Sequence, residues 1–252
     1  MIDKVNLMTK AMQLRKKLGE DGNSPIDVFS LAQNIENLTL VYYPMGDNLS
    51  GMCIKGESGN NVIAVNSAMS LGRQRFSLAH EFFHMHYDYN MVSVCGRKIG
   101  DGEDIEKEAD IFASYFLMPA AELESKAAQL AAQHDDKKLT LDDLIRIEQY
   151  FCVSHKAAVI RLKESIYMDR SRVEGFLATS VRSRAEVMGF SSELYRPIAP
   201  EKQYKTYGRY INQAGQVMQS NLISEGKYEE LLLAAFRPDL VYAGEEDGDI
   251  VD

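Results

Sequence analysis

The stretch from Ser70 to about Tyr87 constrains the fold more than any other part of the chain. No proline interrupts it and no glycine follows Gly72. Phe76, Leu78, Ala79, Phe82 and Phe83 would make a helix apolar around much of its girth, and such a helix has to be enclosed by other elements rather than laid on a surface. Inside it lies His80-Glu81-Phe82-Phe83-His84. Residues four apart stand one turn apart on a common helix face, so the two imidazoles can converge on one ion about 2.0–2.1 Å from each. Glu81 sits beside that face, where its carboxylate can reach a water on the ion rather than the ion itself, as metal-assisted hydrolysis requires. The spacing also recurs by accident, so its context has to decide.

That context includes a second helix. A glycine-bearing loop (Gly96, Gly100, Gly102) leads to a helical pattern from about Glu103 to Leu117, with Ile105, Ala109, Phe112, Ala113 and Phe116 in one stripe and Pro119 ending it. A hydrolytic zinc takes three protein ligands and keeps one position open. Glu106 and Asp110 share a face bordering the stripe. Glu106 is therefore a candidate third ligand, and Asp110 a candidate to orient a ligand histidine. Glu108 falls on a different face and reads as a solvent-exposed carboxylate.

Ahead of these helices, residues 3–19 carry apolar side chains at helical spacing, and Ser24-Pro25 supplies a cap and first-turn proline for a helix through Leu31. Three short segments follow, LTLVYY, SGMCIK and NVIAVN, separated by turn residues, which predict a small, mostly antiparallel sheet. Residues 139–166 look like a helix-turn-helix, with Thr140 and Ser154 as caps, and read as an αα-hairpin used for packing. Residues 176–200 look like a connection. Helical pattern resumes over Glu201–Ser220 and Ser224–Phe236, and GEEDGDIVD ends the chain as an acidic, solvated tail. The expected architecture is α+β and mainly helical, with one unit carrying the His80–His84 motif over 1–170 and a C-terminal helical appendage over 171–252.

Composition narrows the function classes. With 28 basic against 37 acidic side chains and a formal charge of −9, the chain would repel a phosphate backbone, so direct nucleic-acid binding is not expected. Cys53, Cys95 and Cys152 are odd in number and widely spaced, which argues for reduced thiols and against a disulfide framework. The N-terminal residues alternate charged and apolar side chains, unlike a signal peptide or a membrane span, so a cytoplasmic protein is expected.

The run Arg75-Phe76-Ser77-Leu78-Ala79-His80-Glu81-Phe82-Phe83-His84, followed by Glu106-Lys107-Glu108-Ala109-Asp110-Ile111-Phe112-Ala113 and Leu117-Met118-Pro119, resembles the ImmA/IrrE family of metallo-endopeptidases over about residues 25–165. The resemblance implies a zincin-like peptidase fold. It also implies Zn2+ held by His80, His84 and Glu106, with Glu81 as the catalytic base. Two residues depart from the family pattern: Asp110 stands where Asn is common, and Phe83 where Gly usually precedes the second histidine. Phe83 is expected to narrow the cleft. The resemblance further implies a protein substrate, a helix-turn-helix repressor encoded nearby and cleaved to derepress mobile-element, stress or toxin–antitoxin genes. The competing reading is a regulatory module that binds such a partner without cutting it. An extended substrate would pair with an edge among the strands at 50–65. Tyr87, Tyr89 and Tyr115 are alternative candidates to stabilise the oxyanion, while His86 reads as a packing or surface residue and His134 and His155, with no partners at ligand spacing, read as incidental.

Overall fold

The computed structural model describes residues 2–96, 98–100 and 102–242; the expected acidic tail, 244–252, lies outside the described residues. Asp3 caps α1 (Lys4–Lys17) by accepting from the Asn6 amide at 3.0 Å, and Leu7, Ala11 and Leu14 bury one face. Arg15 of this helix is also fully buried. Its guanidinium donates to the carbonyls of Phe116 (2.7 Å), Asp21 (2.9 Å) and Ser24 (2.5 Å), supplying partners for backbone oxygens. The next helix, α2 (Val28–Gln33), starts later than Ser24-Pro25 suggests, because Asp27 is its cap, accepting from the Phe29 amide at 3.2 Å.

Five strands form one sheet: β1 (Leu38–Tyr43), β2 (Leu49–Lys55), β3 (Asn61–Asn66), β4 (Val92–Gly96) and β5 (Lys205–Gly208), in the order β4-β2-β3-β1-β5. β1 runs parallel to β3, and the other three pairings are antiparallel. The mainly helical α+β architecture with a small, mostly antiparallel sheet is therefore as expected. Two placements are not. The strands at 50–65 are internal, each flanked on both sides, so neither offers an edge; the edge on this side is β4, in residues that read as the approach to a loop. At the other edge β5 interrupts the helical pattern expected over 201–220 and pairs with β1.

The central helix α3 (Leu71–Tyr87) is buried at every residue from Gln74 to Met85, as its all-round apolar character demands. It packs against β2, β3 and α4 (Asp104–Leu117), and α4 packs in turn on α1. Arg75 fastens α3 to the start of α2 by donating to the Ile26 carbonyl and pairing with Asp27. Beyond α5 (Ala120–Ala131), the pair α6 (Leu141–Phe151) and α7 (His155–Leu162) is capped by Thr140 and Ser154 and turns through Cys152 at φ 53°. The pair packs onto the core. A Cβ on Gly72 would lie 2.7 Å from the Ser154 amide nitrogen, so the absence of a side chain lets α3 and the start of α7 touch through their backbones.

The remaining helices are α8 (Val173–Ala178), α9 (Arg182–Val187), α10 (Arg209–Gln219), α11 (Glu225–Ala234) and α12 (Pro238–Tyr242). His155 and Glu148 tie the α6–α7 pair to this later chain. The His155 ring faces Glu148 (2.6 Å) through Nδ1 and the Phe176 carbonyl (2.7 Å) through Nε2, while the Tyr195 hydroxyl donates to the other Glu148 oxygen at 3.0 Å. His134 likewise pairs with buried Asp143 at 2.6 Å. Both histidines are thus structural, held in polar pairs that sequence spacing does not reveal. Among the described residues, no helix is long and apolar enough to cross a membrane.

Candidate metal centre

The helix pitch brings His80 and His84 together as expected, with their Nε2 atoms 3.1 Å apart. Glu106, on the first turn of α4, reaches both: its two oxygens lie 3.3 Å from His80 Nε2 and 3.3 Å from His84 Nε2. The opposite nitrogens are also occupied. Asp110 stands 2.9 Å from His80 Nδ1, and its other oxygen accepts from the Gly100 amide. Asp88, just past the end of α3, stands 2.8 Å from His84 Nδ1. With each Nδ1 engaged by a carboxylate, both Nε2 atoms face the common space beside Glu106, where a bound cation would replace any proton they carry.

The carboxylates set the proton balance of this cluster. Burial alone would lower the His80 pKa, but Asp110 and Glu106 outweigh it and hold it up at about 10. His84 is raised too, against its burial, by Glu106 and Asp88. The two imidazoles hold the Glu106 carboxyl far below its ordinary value. Three donor atoms converging within a buried space, with cationic character favoured there, is the environment a divalent cation would relieve.

Glu81 lies fully buried beneath the cluster, and neither of its oxygens has a hydrogen-bond partner among the described residues. Burial pushes its pKa up. Its position depends on β2, because a Cβ on Gly51 would come within 2.8 Å of Glu81 Oε1. An orphaned buried carboxylate beside two imidazoles and a carboxylate fits a metal ion with a water between ion and base, and the donor set suits zinc or a neighbouring first-row divalent ion.

Sequence spacing missed Cys95. Its ligand atom lies within 4.8 Å of those of His80, His84 and Glu106, although it comes from β4 and shares no local spacing with them. Asp88 was also missed, despite sitting four residues after His84 at the helix end, where a carboxylate can turn back on the ring. Phe83 does not narrow the cleft. It is buried with its ring 5.6 Å from Phe112 and 5.9 Å from Tyr87, facing the α1–α4 side of the helix. None of the three tyrosines lines the cleft that opens on His80 and Glu106. Tyr87 donates to the Lys10 carbonyl (3.1 Å), Tyr89 is exposed, and Tyr115 lies under the Arg161 guanidinium. His86 is a packing residue, its ring set against Phe82 and Tyr87 and its pKa lowered by burial to about 4.

A mixed sheet with a buried helix behind it, presenting two imidazoles and a buried carboxylate to a second carboxylate from the next helix, is compatible with a helix-borne metal centre. The chain belongs to the M78 peptidase family, whose model, described as the IrrE N-terminal-like domain, matches residues 24–163. The ImmA/IrrE resemblance read from the motifs is thereby borne out, and the chain has a metallopeptidase-type function. A comparison with curated proteins found no match.

Proposed function

We propose that the chain is a zinc-dependent endopeptidase in which His80, His84 and Glu106 hold the ion and Glu81 is the general base. The observation that carries this reading is the convergence of both Nε2 atoms on the two oxygens of Glu106, directly above a buried carboxylate that has no other partner. A zinc ion held there would supply Lewis-acid polarisation of the scissile carbonyl and of the attacking water. Glu81 takes the proton of that water and passes it to the leaving amine, a task suited to a carboxyl whose pKa burial has raised. Asp110 and Asp88 fix the tautomers of the two histidines and keep their rings aimed.

The substrate we propose is a helix-turn-helix repressor encoded nearby, presented as an extended segment and cleaved to release transcription. A cleft of about 700 Å³ lined by His80, Glu106, Val92, Ser93 and Val94 supports the extended mode. β4 forms its wall, and the outer edge of β4 pairs with no other strand among the described residues, leaving backbone groups for a substrate strand to meet.

The test is incubation of the protein with the repressor encoded beside it, with and without a chelator. Wild type gives chelator-sensitive fragments. Glu81→Gln retains metal and loses about 10²–10⁴-fold in cleavage rate. Undiminished cleavage by Glu81→Gln refutes the base assignment, and an intact complex with wild type supports the non-cleaving module instead.

A further inference from the structure

The fourth potential ligand, Cys95, has no role in the mechanism above, yet the fold places it with care. Along β4, Val92 and Val94 are exposed at 56% and 53%, and Cys95 is turned inward at 1%. Opposite it the register of β2 shifts between Leu49 and Gly51, a bulge that re-aims the facing residues. The Ser50 hydroxyl then donates to the Gly96 carbonyl at 2.9 Å, with the Cys95 carbonyl at 3.3 Å, pinning the strand at this point. A second, independent observation points to the same spot. Glu81, fully buried, directs two unpartnered oxygens into the space that the thiol shares with Glu106.

We propose that in the resting protein the Cys95 thiolate is a fourth ligand of the metal, occupying the corner that water must hold for hydrolysis, so that the centre is closed until the bound protein substrate displaces the sulfur. This rests on the metal-site reading above. Three protein ligands and a water make a catalytic zinc site, whereas four protein ligands make a closed one, and a His, His, Glu and Cys set completes the closed kind. On ligation the S–H bond breaks and a metal–sulfur bond forms. The proton leaves to solvent, as thiol ligation of a metal requires. Displacement reverses it: the metal–sulfur bond breaks, sulfur regains a proton from solvent, and water enters. No electrons are exchanged in either direction.

The test uses the full chain loaded with Co2+ alone. Wild type should show an intense near-ultraviolet sulfur-to-cobalt charge-transfer band. Cys95→Ser should lose that band while keeping the visible d–d bands of the histidine and carboxylate ligands, and Cys152→Ser should match wild type. Acetohydroxamate, a small bidentate zinc-binding probe, should shift the d–d bands of Cys95→Ser and leave those of wild type unchanged. X-ray absorption at the zinc edge of the wild-type protein gives a check independent of any variant, with one sulfur scatterer expected at about 2.3 Å. Absence of the charge-transfer band and of the sulfur scatterer overturns the proposal. An equal hydroxamate shift in wild type and Cys95→Ser overturns the closure. Failure of both proteins to take up cobalt overturns the metal-site reading itself, a result distinct from the other two.

Discussion

Replacing Gly51 with alanine tests whether the position of Glu81 is set by the strand behind it. The added Cβ would stand 2.8 Å from Glu81 Oε1, 3.3 Å from its Cγ and 3.0 Å from the Ala64 carbonyl oxygen. The Ala64 oxygen belongs to β3 and is held by the sheet, so the yielding partner is the carboxylate. It must retreat by about 0.6 Å to reach ordinary contact. Misplacing a catalytic group by about 1 Å costs on the order of 10²-fold, so Gly51→Ala should lose about 10- to 100-fold in kcat. Overpacking of a buried site costs about 1–3 kcal/mol, a fall in Tm of roughly 2–10 °C for a chain of this size. Metal affinity should change by no more than about threefold, because Gly51 meets Glu81 and not the three ligands. The assays are kcat on the cleaved substrate, Tm by calorimetry and chelator competition for bound metal. Wild-type kcat in a folded variant would refute the argument, as would metal loss in parallel with activity, which would mean that the whole centre had moved.

Asp110→Asn keeps an oxygen for His80 Nδ1 and should hold metal within about tenfold of wild type, while Asp110→Ala should lose about 10- to 100-fold in affinity by chelator competition. Equal affinities for all three proteins would remove Asp110 from any orienting role. His155 provides a pH test of stability. Burial works against its charge, but Glu148 and the Phe176 carbonyl outweigh burial and raise its folded pKa above the unfolded value. Its contribution is therefore fully present below about pH 6.5 and is lost as pH rises through the higher folded value. Tm should fall over that alkaline window in wild type. His155→Gln should flatten the fall and cost about 3–5 kcal/mol at neutral pH by leaving buried Glu148 without its cationic partner, with the Tyr195 hydroxyl still bonded to it; an unchanged pH profile in the variant would show that the pair does not titrate with folding.

The parts of the molecule legible in the sequence are those fixed by local periodicity. Helix pitch alone brings His80 and His84 onto one face. The stripe of α4 fixes which way Glu106 and Asp110 point, and β-branched runs mark the three internal and near-internal strands β1 to β3. What escaped depends on partners distant in sequence. β4 carries its valines on the exposed face and Ser93 and Cys95 inward, so it lacks the apolar alternation that marks a half-buried strand, and it exists as a strand because β2 offers it a ladder. β5 sits within a helical pattern and is extended because the free edge of β1 binds it. Phe83 is expected to narrow the cleft because Gly usually precedes the second histidine in the family it resembles, yet on a helix enclosed on all sides it turns towards Phe112.

The convergence of His80, His84 and Glu106 is thus written in the helices, and the approach of Cys95 to them is written in the sheet register. Side chains alternate faces along a strand, so a slip of β4 by one residue against β2 would carry Cys95 to the solvent side and set Val94 or Gly96 over Glu81. The two histidines and Glu106 would be untouched by such a slip. The bulge between Leu49 and Gly51 and the Ser50 hydrogen bonds fix that register, so β2 governs both the placement of the Glu81 carboxylate and which side chain of β4 faces it.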